Sequence, residues 1–384
     1  MSPGLAKDDP RLQAVLPDSC EVIGDIELFA REYSGSIVGI TGSNGKSTVT
    51  TLVGEMAKAA NISVGIGGNI GIPALSLLNK ANRLAILELS SFQLETTYSL
   101  TPDVAAILNI TSDHLDRYPS IEEYKTAKER IYLGAKSVIV NRDDPVVANH
   151  YPKDKEATFF SLSQPQDKEY GLLNFEGEVW IAKGNKKLLS THEVALLGSH
   201  NWQNVLAAIA LGERVGIPLP AMLQAVRCFR GLAHRCESLG SHDDVLWVND
   251  SKGTNVGATL TALKGLQAAI SGKWILIAGG LSKGADLSEL VTPIQQACRS
   301  VILIGDAADE LAHLLEDKVP YVRAQSIEEA VHSAKQSAHP GDGVLLSPAC
   351  ASQDMFRHFE HRGDCFREAV KASLGKPIQN YSES

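Results

Sequence analysis

The chain has 384 residues, room for two to three domains on a prior of ~150 residues each, and its 44% hydrophobic and 21% charged content is that of an ordinary soluble globular protein. A formal charge of −9 with no long block of like charges argues against a dedicated nucleic-acid binder, while leaving space for a local cationic pocket around an anionic substrate. The six cysteines lie far apart without a Cys-x-x-Cys pair, no basic-then-apolar leader opens the chain and no long apolar run occurs. Free thiols, a cytoplasmic location and no membrane insertion are therefore expected.

In chain order, Ser2-Pro3-Gly4 precedes a mostly helical-looking stretch ending in Glu32. It is too short to bury a core of its own. Either it leans on the next domain or it is the remnant of something larger, with Ile23, Ile26 and Phe29 exposed on it. From Ser36 short apolar runs alternate with helical segments: strands at 37–41, 62–66, 84–89, 104–109 and 137–141, helices at 49–60 and 121–133. That alternation predicts a parallel sheet covered on both faces. Short β-like pieces at 159–162, 172–175 and 178–182 follow, broken by Gly177 and Gly184, then a helix at 202–215 stopped by Gly216 and Pro218. A second α/β series predicts strands at 245–249, 274–278, 301–304 and 344–347, and helices at 256–266, 287–297, 308–315 and 327–338.

The strongest signal is Gly42-Ser43-Asn44-Gly45-Lys46-Ser47-Thr48, which follows the β-branched run and opens a helix. Strand, glycine turn, Lys-Ser/Thr, helix is the arrangement that cradles a nucleoside triphosphate: amide groups face the phosphates, the lysine adds charge and a hydroxyl reaches magnesium. The loop is shorter than the usual Walker spacing, because Ile40 stands five before Gly45. Polar residues also gather beyond later strands, where open parallel sheets bind ligands. Glu88 ends the third strand and suits a magnesium ion beside phosphates. His114, in Asp113-His114-Leu115-Asp116, and Lys128 read on spacing alone as surface residues. In the second series, Asn249-Asp250-Ser251-Lys252, Gly279-Gly280-Leu281-Ser282-Lys283 and Ser347-Pro348-Ala349-Cys350-Ala351-Ser352 each close a strand.

Together with Gly67-Gly68-Asn69-Ile70-Gly71, His200-Asn201-Trp202-Gln203-Asn204 and His234-Arg235, these segments resemble the Mur ligase family, in order from about Cys20 to Gly375. The segments 88–95 and 346–352 point to its D-glutamate-adding member. The resemblance implies a central P-loop-type parallel-sheet ATPase domain (35–231) and a Rossmann-like C-terminal ligase domain (232–384). Residues 1–34 would be the remnant of an N-terminal UDP-binding domain, with Ser2, Pro3 and Gly4 in a nucleotide-holding turn. It also implies ligation of D-glutamate to UDP-N-acetylmuramoyl-L-alanine through an acyl phosphate, by a monomer, with ATP between the central and C-terminal domains.

By the same resemblance Lys46 would contact the γ-phosphate, Ser47 and Glu88 would hold one magnesium ion, and Glu88, His114 and a carbamylated Lys128 a second. Asn69 would touch the acceptor. Asn201 and Asn204 would read the adenine, while Arg235, Asp250 and Lys252 would reach ATP. Thr254, Lys283, Ser352 and Phe359 would receive D-glutamate. Gln353 stands where the nearest members of the family carry an apolar residue beside the glutamate site. The alternatives are another amino-acid ligase of the folylpolyglutamate type and a catalytically impaired nucleotide-binding fragment.

Overall fold

The computed structural model describes all residues except 3, 6–8, 18, 79–81, 112–116 and 375–384, and the side chain of Gln13. It divides into two compact units, residues 1–195 with 202–229 and residues 196–201 with 230–384.

The first unit is built on strands β1 (Ser36–Thr41), β2 (Val64–Gly68), β3 (Leu84–Glu88), β4 (Val104–Ile107), β5 (Ser137–Asn141), β6 (Glu156–Phe160), β7 (Tyr170–Phe175), β8 (Glu178–Lys183) and β9 (Lys186–Ser190). Their order in the sheet is β2-β3-β1-β4-β5-β6-β7-β8-β9. The first six are parallel, and β3, β4 and β5 are buried throughout, as a sheet covered on both faces requires. The last three form an antiparallel meander. Its first hairpin turns on Glu176 (φ 53°) and Gly177 (φ 82°), a two-residue loop whose twist matches the flanking strands.

Several expected boundaries move for local reasons. The strand expected at 62–66 starts at Val64, because Asn61 (φ 56°) and Ile62 complete the cap of helix Lys46–Ala59. Asn61 N–H bonds Lys58 O (2.9 Å) and Ile62 N–H bonds Ala57 O (2.9 Å), the paired closure of a left-handed C-terminal cap. Helix Ile121–Glu129 tightens into a 3-10 turn, Arg130–Tyr132, before the expected end at 133. Strand β9 and helix Leu219–Cys228 were not anticipated; β9 opens on two exposed lysines, the charged opening of an edge strand. The expected exposure of Ile26 and Phe29 is overturned. Helix Asp25–Glu32 buries both completely, and Glu27 beside them accepts hydrogen bonds from the Tyr98 and Ser99 amides, the Ser99 hydroxyl and Arg31. The N-terminal segment thus leans on the first unit's core.

The second unit holds β10 (Glu237–His242), β11 (Val245–Asn249), β12 (Trp274–Gly279), β13 (Cys298–Ile304), β14 (Tyr321–Arg323) and β15 (Gly343–Leu346), ordered β10-β11-β15-β12-β13-β14. All neighbours are parallel except β10 with β11. Alternate strand residues face opposite cores. Leu276 and Ala278 meet helices Val256–Leu266 and Ala308–Leu315, while Ile275 and Ile277 meet helices Ile327–Ser337 and Phe359–Leu374. The edge strands β10 and β14 and helix Phe359–Leu374 were not read from the sequence; β10 is polar and its register shifts between Ser238 and Ser241.

Candidate active site

In the first unit the site begins where β1 ends. Thr41 Oγ1 donates to Leu89 O (2.6 Å), and the register pairs Ile40 with Glu88, so the acid at the end of β3 lies level with the start of the glycine loop. Gly45 has φ 82°, and a Cβ there would come within 2.6 Å of Asn204 Oδ1; both torsion and space demand glycine. Helix Lys46–Ala59 starts directly after it, with Ser47 and Thr48 buried in its first turn, where the helix dipole favours an anion. The loop is held from below by Asn109, expected at the end of the strand 104–109. Asn44 N–H donates to Asn109 Oδ1 (2.8 Å), and Asn109 Nδ2 returns a bond to Asn44 O (3.0 Å). Ser43 Oγ donates to Thr111 O (3.0 Å) and accepts from Thr111 N–H (2.9 Å).

The two lysines both reach main-chain oxygen of this loop. Lys46 Nζ donates to Gly42 O (2.8 Å) and Ser43 O (2.9 Å). Lys128 Nζ donates to Gly42 O (3.0 Å) and lies over the Tyr124 ring, 4.4 Å from its centroid. Lys128 is 1% exposed, which overturns its reading as a surface lysine and brings it to the loop. Asn69 Nδ2 donates to Glu88 Oε1 (2.9 Å), and Asn69 N–H to Glu88 O (2.8 Å), so this residue orients the acid. Glu88 Oε2 is buried without a hydrogen-bond partner among the described residues. An unsatisfied buried carboxylate oxygen beside a phosphate-type loop fits a divalent cation, which would supply the missing contact. Among the described residues no group of three His, Cys, Asp or Glu side chains forms a metal cage. Glu88 at this loop suits magnesium, which takes one or two carboxylates and leaves the rest to water and phosphate. His114 and Pro3 lie outside the described residues. Ser2 and Gly4 are exposed in a turn closed by Leu5 N–H to Ser2 O (3.1 Å).

In the second unit Asp250, Lys252 and Thr254 follow β11, Lys283 follows β12 and Ser352 follows β15, whereas Arg235 precedes β10 and Phe359 opens helix Phe359–Leu374. Asp250 is buried; its carboxylate accepts from Ser347 Oγ (2.8 Å) and Cys236 N–H (3.1 Å). Burial pushes its carboxyl up to about 6 against these donors. Thr259 Oγ1 lies 3.0 Å from Ser347 Oγ and extends the chain of hydroxyls. Beneath it, Asn249 Oδ1 accepts from Ser251 N–H (3.2 Å), and Asn249 Nδ2 meets Gly363 O (3.1 Å).

Arg362, absent from the sequence reading, joins two of the strand-end turns. Its guanidinium donates to Ser251 O (2.9 Å), Ser251 Oγ (3.0 Å) and Cys350 O (3.2 Å), and burial lowers its pKa to about 10. A single arginine in an amphipathic helix carries no sequence signal that separates it from a surface residue. Leu281 and Ala351 exchange backbone bonds of 3.0 Å, which sets the Lys283 and Ser352 segments side by side. Lys283 is exposed on a left-handed backbone (φ 53°), Ser352 is buried, and Thr254 follows Lys252 in the turn after β11. Arg235 precedes Cys236, whose amide meets Asp250. Asn201 donates to Leu197 O (2.7 Å) within this unit, whereas Asn204 belongs to the first.

Comparison with known proteins agrees with both halves. Residues 40–212 match the Mur ligase middle domain, and residues 234–350 match the Mur ligase, glutamate ligase domain. The UDP-N-acetylmuramoylalanine–D-glutamate ligase of Legionella pneumophila (strain Lens) is 50% identical over 374 residues, covering 96% of this chain and 84% of that relative. The corresponding ligase of Pseudomonas aeruginosa is 49% identical over 375 residues, covering 97% and 83%. Among solved structures, the MurF ligase of Thermotoga maritima in complex with ADP has a TM-score of 0.70 at 19% identity, covering 92% of this chain and 85% of that one. A pseudomurein peptide ligase type C from Methanothermus fervidus has a TM-score of 0.67 at 18% identity, covering 91% and 81%. The structural likenesses establish the fold, and with the sequence identity across nearly the whole length they lead to one conclusion: the chain belongs to the Mur ligase family.

Proposed function

We propose that this protein uses ATP to join D-glutamate to UDP-N-acetylmuramoyl-L-alanine, forming an amide bond in the synthesis of a peptidoglycan precursor. The observation that carries this reading is the 50% identity, over 96% of the chain, to ligases named for that reaction. The acceptor carboxylate oxygen attacks the γ-phosphorus, ADP leaves and an acyl phosphate forms. The D-glutamate amine, having lost a proton, then attacks the acyl carbon, and inorganic phosphate departs with the electron pair of the broken C–O bond.

Most of the rate in such a phosphoryl transfer comes from positioning and charge. Lys46 supplies a cation at the loop mouth, and the first turn of helix Lys46–Ala59 adds its dipole. Magnesium, when bound, neutralises phosphate charge; Ser47 and Glu88 would hold one ion, and Glu88, His114 and Lys128 as a carbamate a second. Carbamylation leaves one N–H on Lys128, enough to keep its bond to Gly42 O, while adding an oxygen ligand. Asn69 fixes Glu88 through its side-chain amide and would also touch the acceptor. In the second unit, Arg235, Asp250 and Lys252 would serve the nucleotide, with Asn201, and Asn204 in the first unit, at the adenine. Thr254, Lys283, Ser352 and Phe359 would hold D-glutamate.

A panel of amino acids and acceptors, read by ADP formation and by mass of the product, tests the reading. D-glutamate with UDP-N-acetylmuramoyl-L-alanine should give one glutamyl adduct per ADP. Turnover with a folate acceptor and L-glutamate instead would replace it with the folylpolyglutamate-type activity.

A further inference from the structure

Phe359, assigned above to the D-glutamate pocket, has its ring face turned to another group. Lys252 Nζ lies 4.1 Å from the ring centroid, within the range of cation–π attraction. The rest of the turn is fastened to the same residue. Ser251 Oγ donates to Phe359 O (2.8 Å), and the His234 ring meets the Phe359 ring edge-on at 6.3 Å and 80°. His234 O in turn accepts from Lys252 N–H (3.0 Å). The His234 ring cannot drift, since Asn249 Nδ2 lies 3.1 Å from its Nδ1 and Gly363 leaves space only for hydrogen: a Cβ there would come within 2.2 Å of that nitrogen. Backbone, ring face and ring edge therefore fix the lysine relative to the start of helix Phe359–Leu374.

We propose that Phe359 is a positioning residue that seats the Lys252 ammonium on its π face and aims it at a phosphate-bearing ligand, in addition to lining the amino-acid pocket. The proposal rests on the ligase reading given above. The chemistry explains why a ring suits the task. A carboxylate holds an ammonium more strongly but cancels its charge, whereas an aromatic face holds it through the ring quadrupole and leaves the positive charge to act on an anion. Through this one side chain the state of the amino-acid pocket also bears on the placement of a nucleotide-side cation.

The test is a fluorination series at position 359, with mono-, di- and trifluorophenylalanine, because fluorine drains the ring face while nearly preserving its shape. Two readouts are followed on the full chain: kcat/KM for ADP formation, and affinity for a non-hydrolysable magnesium–ATP analogue by calorimetry. Both should fall step by step with fluorine content, reaching about tenfold for the trifluoro ring, with an unchanged unfolding temperature. Phe359→Leu should fall at least as far. In a Lys252→Ala background the analogue affinity should no longer respond to fluorine. A flat series with Lys252 present, or an equal slope without it, overturns the proposal. Loss of the D-glutamate product in the native protein would instead count against the ligase reading, and the calorimetric series would still decide the role of Phe359.

Discussion

In the first unit the candidate ligand surface is main chain: glycine torsions shape the loop, a helix terminus faces it, and both Lys46 and Lys128 are bonded to its carbonyl oxygens. In the second unit the corresponding surface is held by buried side chains that bond to each other and to facing turns, with Asn249, Asp250, Ser347 and Arg362 as its members. A main-chain cradle keeps its shape when a partly exposed side chain such as Lys46 is removed, Asn109 beneath it being the exception. A side-chain network does not, because each deletion leaves a buried partner unsatisfied. On side-chain deletion, activity and stability should thus separate in the first unit and move together in the second, where the isosteric, charge-removing Asp250→Asn is the exception.

The largest effect that could break this contrast comes from paired deletions. Lys46→Ala should reduce ADP formation about a thousandfold, the loss of a charge proposed to act on the transferring phosphoryl group, with little change in unfolding temperature. Arg362→Ala should cost about 3 kcal/mol of stability as well as activity, since it strands the carbonyls of Ser251 and Cys350. Urea denaturation beside initial rates checks both. Equal stability losses would remove the distinction.

Lys128 comes next. Lys128→Ala should lower turnover about a hundredfold, and a short carboxylic acid should restore part of it by supplying the missing oxygens; bicarbonate should raise native activity. Rescue by a small amine would instead assign Lys128 a cationic role. On the amino-acid side, Lys283→Ala and Ser352→Ala should each raise KM for D-glutamate about thirtyfold while barely moving KM for ATP, because an ammonium and a hydroxyl suit a dicarboxylate. Steady-state kinetics with each substrate varied separates the outcomes. A shift confined to ATP would reassign that turn.

What could be read from the sequence follows the same divide. The loop was legible because glycine, lysine and hydroxyl residues fall in consecutive positions after a β-branched run, and the parallel sheets were legible from continuous apolar strands. Glu88 was legible from its place at a strand end. Lys128 was not, since burial of a lysine depends on Tyr124 and a loop 86 residues away in the chain. Asn109 and Arg362 escaped for the same reason: their partners are mostly main-chain atoms, brought close only by the fold. The antiparallel edge β10, a polar strand with a register shift, lacks the alternation that marks a strand.

The smallest expected effect sharpens the comparison through two buried acids of opposite behaviour. Burial alone would raise the Glu27 carboxyl, but hydrogen bonds from Ser99, Tyr98 and Arg31 outweigh it and hold the pKa at about 2. Its stabilisation is complete above the unfolded value of 4.5 and lost as pH falls toward 2. Glu27→Gln should therefore cost about 2 kcal/mol at neutral pH, with the gap closing in acid. Asp250 is raised from 3.8 to about 6, so its ionisation opposes folding as pH rises through that window. Asp250→Asn should gain about 1 kcal/mol relative to native above about pH 6 and lose the gain toward about pH 4. Urea midpoints across that range read both signs; the same sign for the two would contradict the assigned environments.

The central claim, ATP-driven ligation through an acyl phosphate, is tested most directly by heavy-oxygen transfer. UDP-N-acetylmuramoyl-L-alanine carrying the label in its terminal carboxylate is incubated with the protein, magnesium–ATP and D-glutamate. The phosphate released is then examined by mass spectrometry. One labelled oxygen should appear in each phosphate, in step with one glutamyl adduct, because the attacking carboxylate oxygen leaves with the phosphoryl group. Unlabelled phosphate, with ATP consumed at the same rate, would mean that water is the acceptor and that the ligase account is wrong.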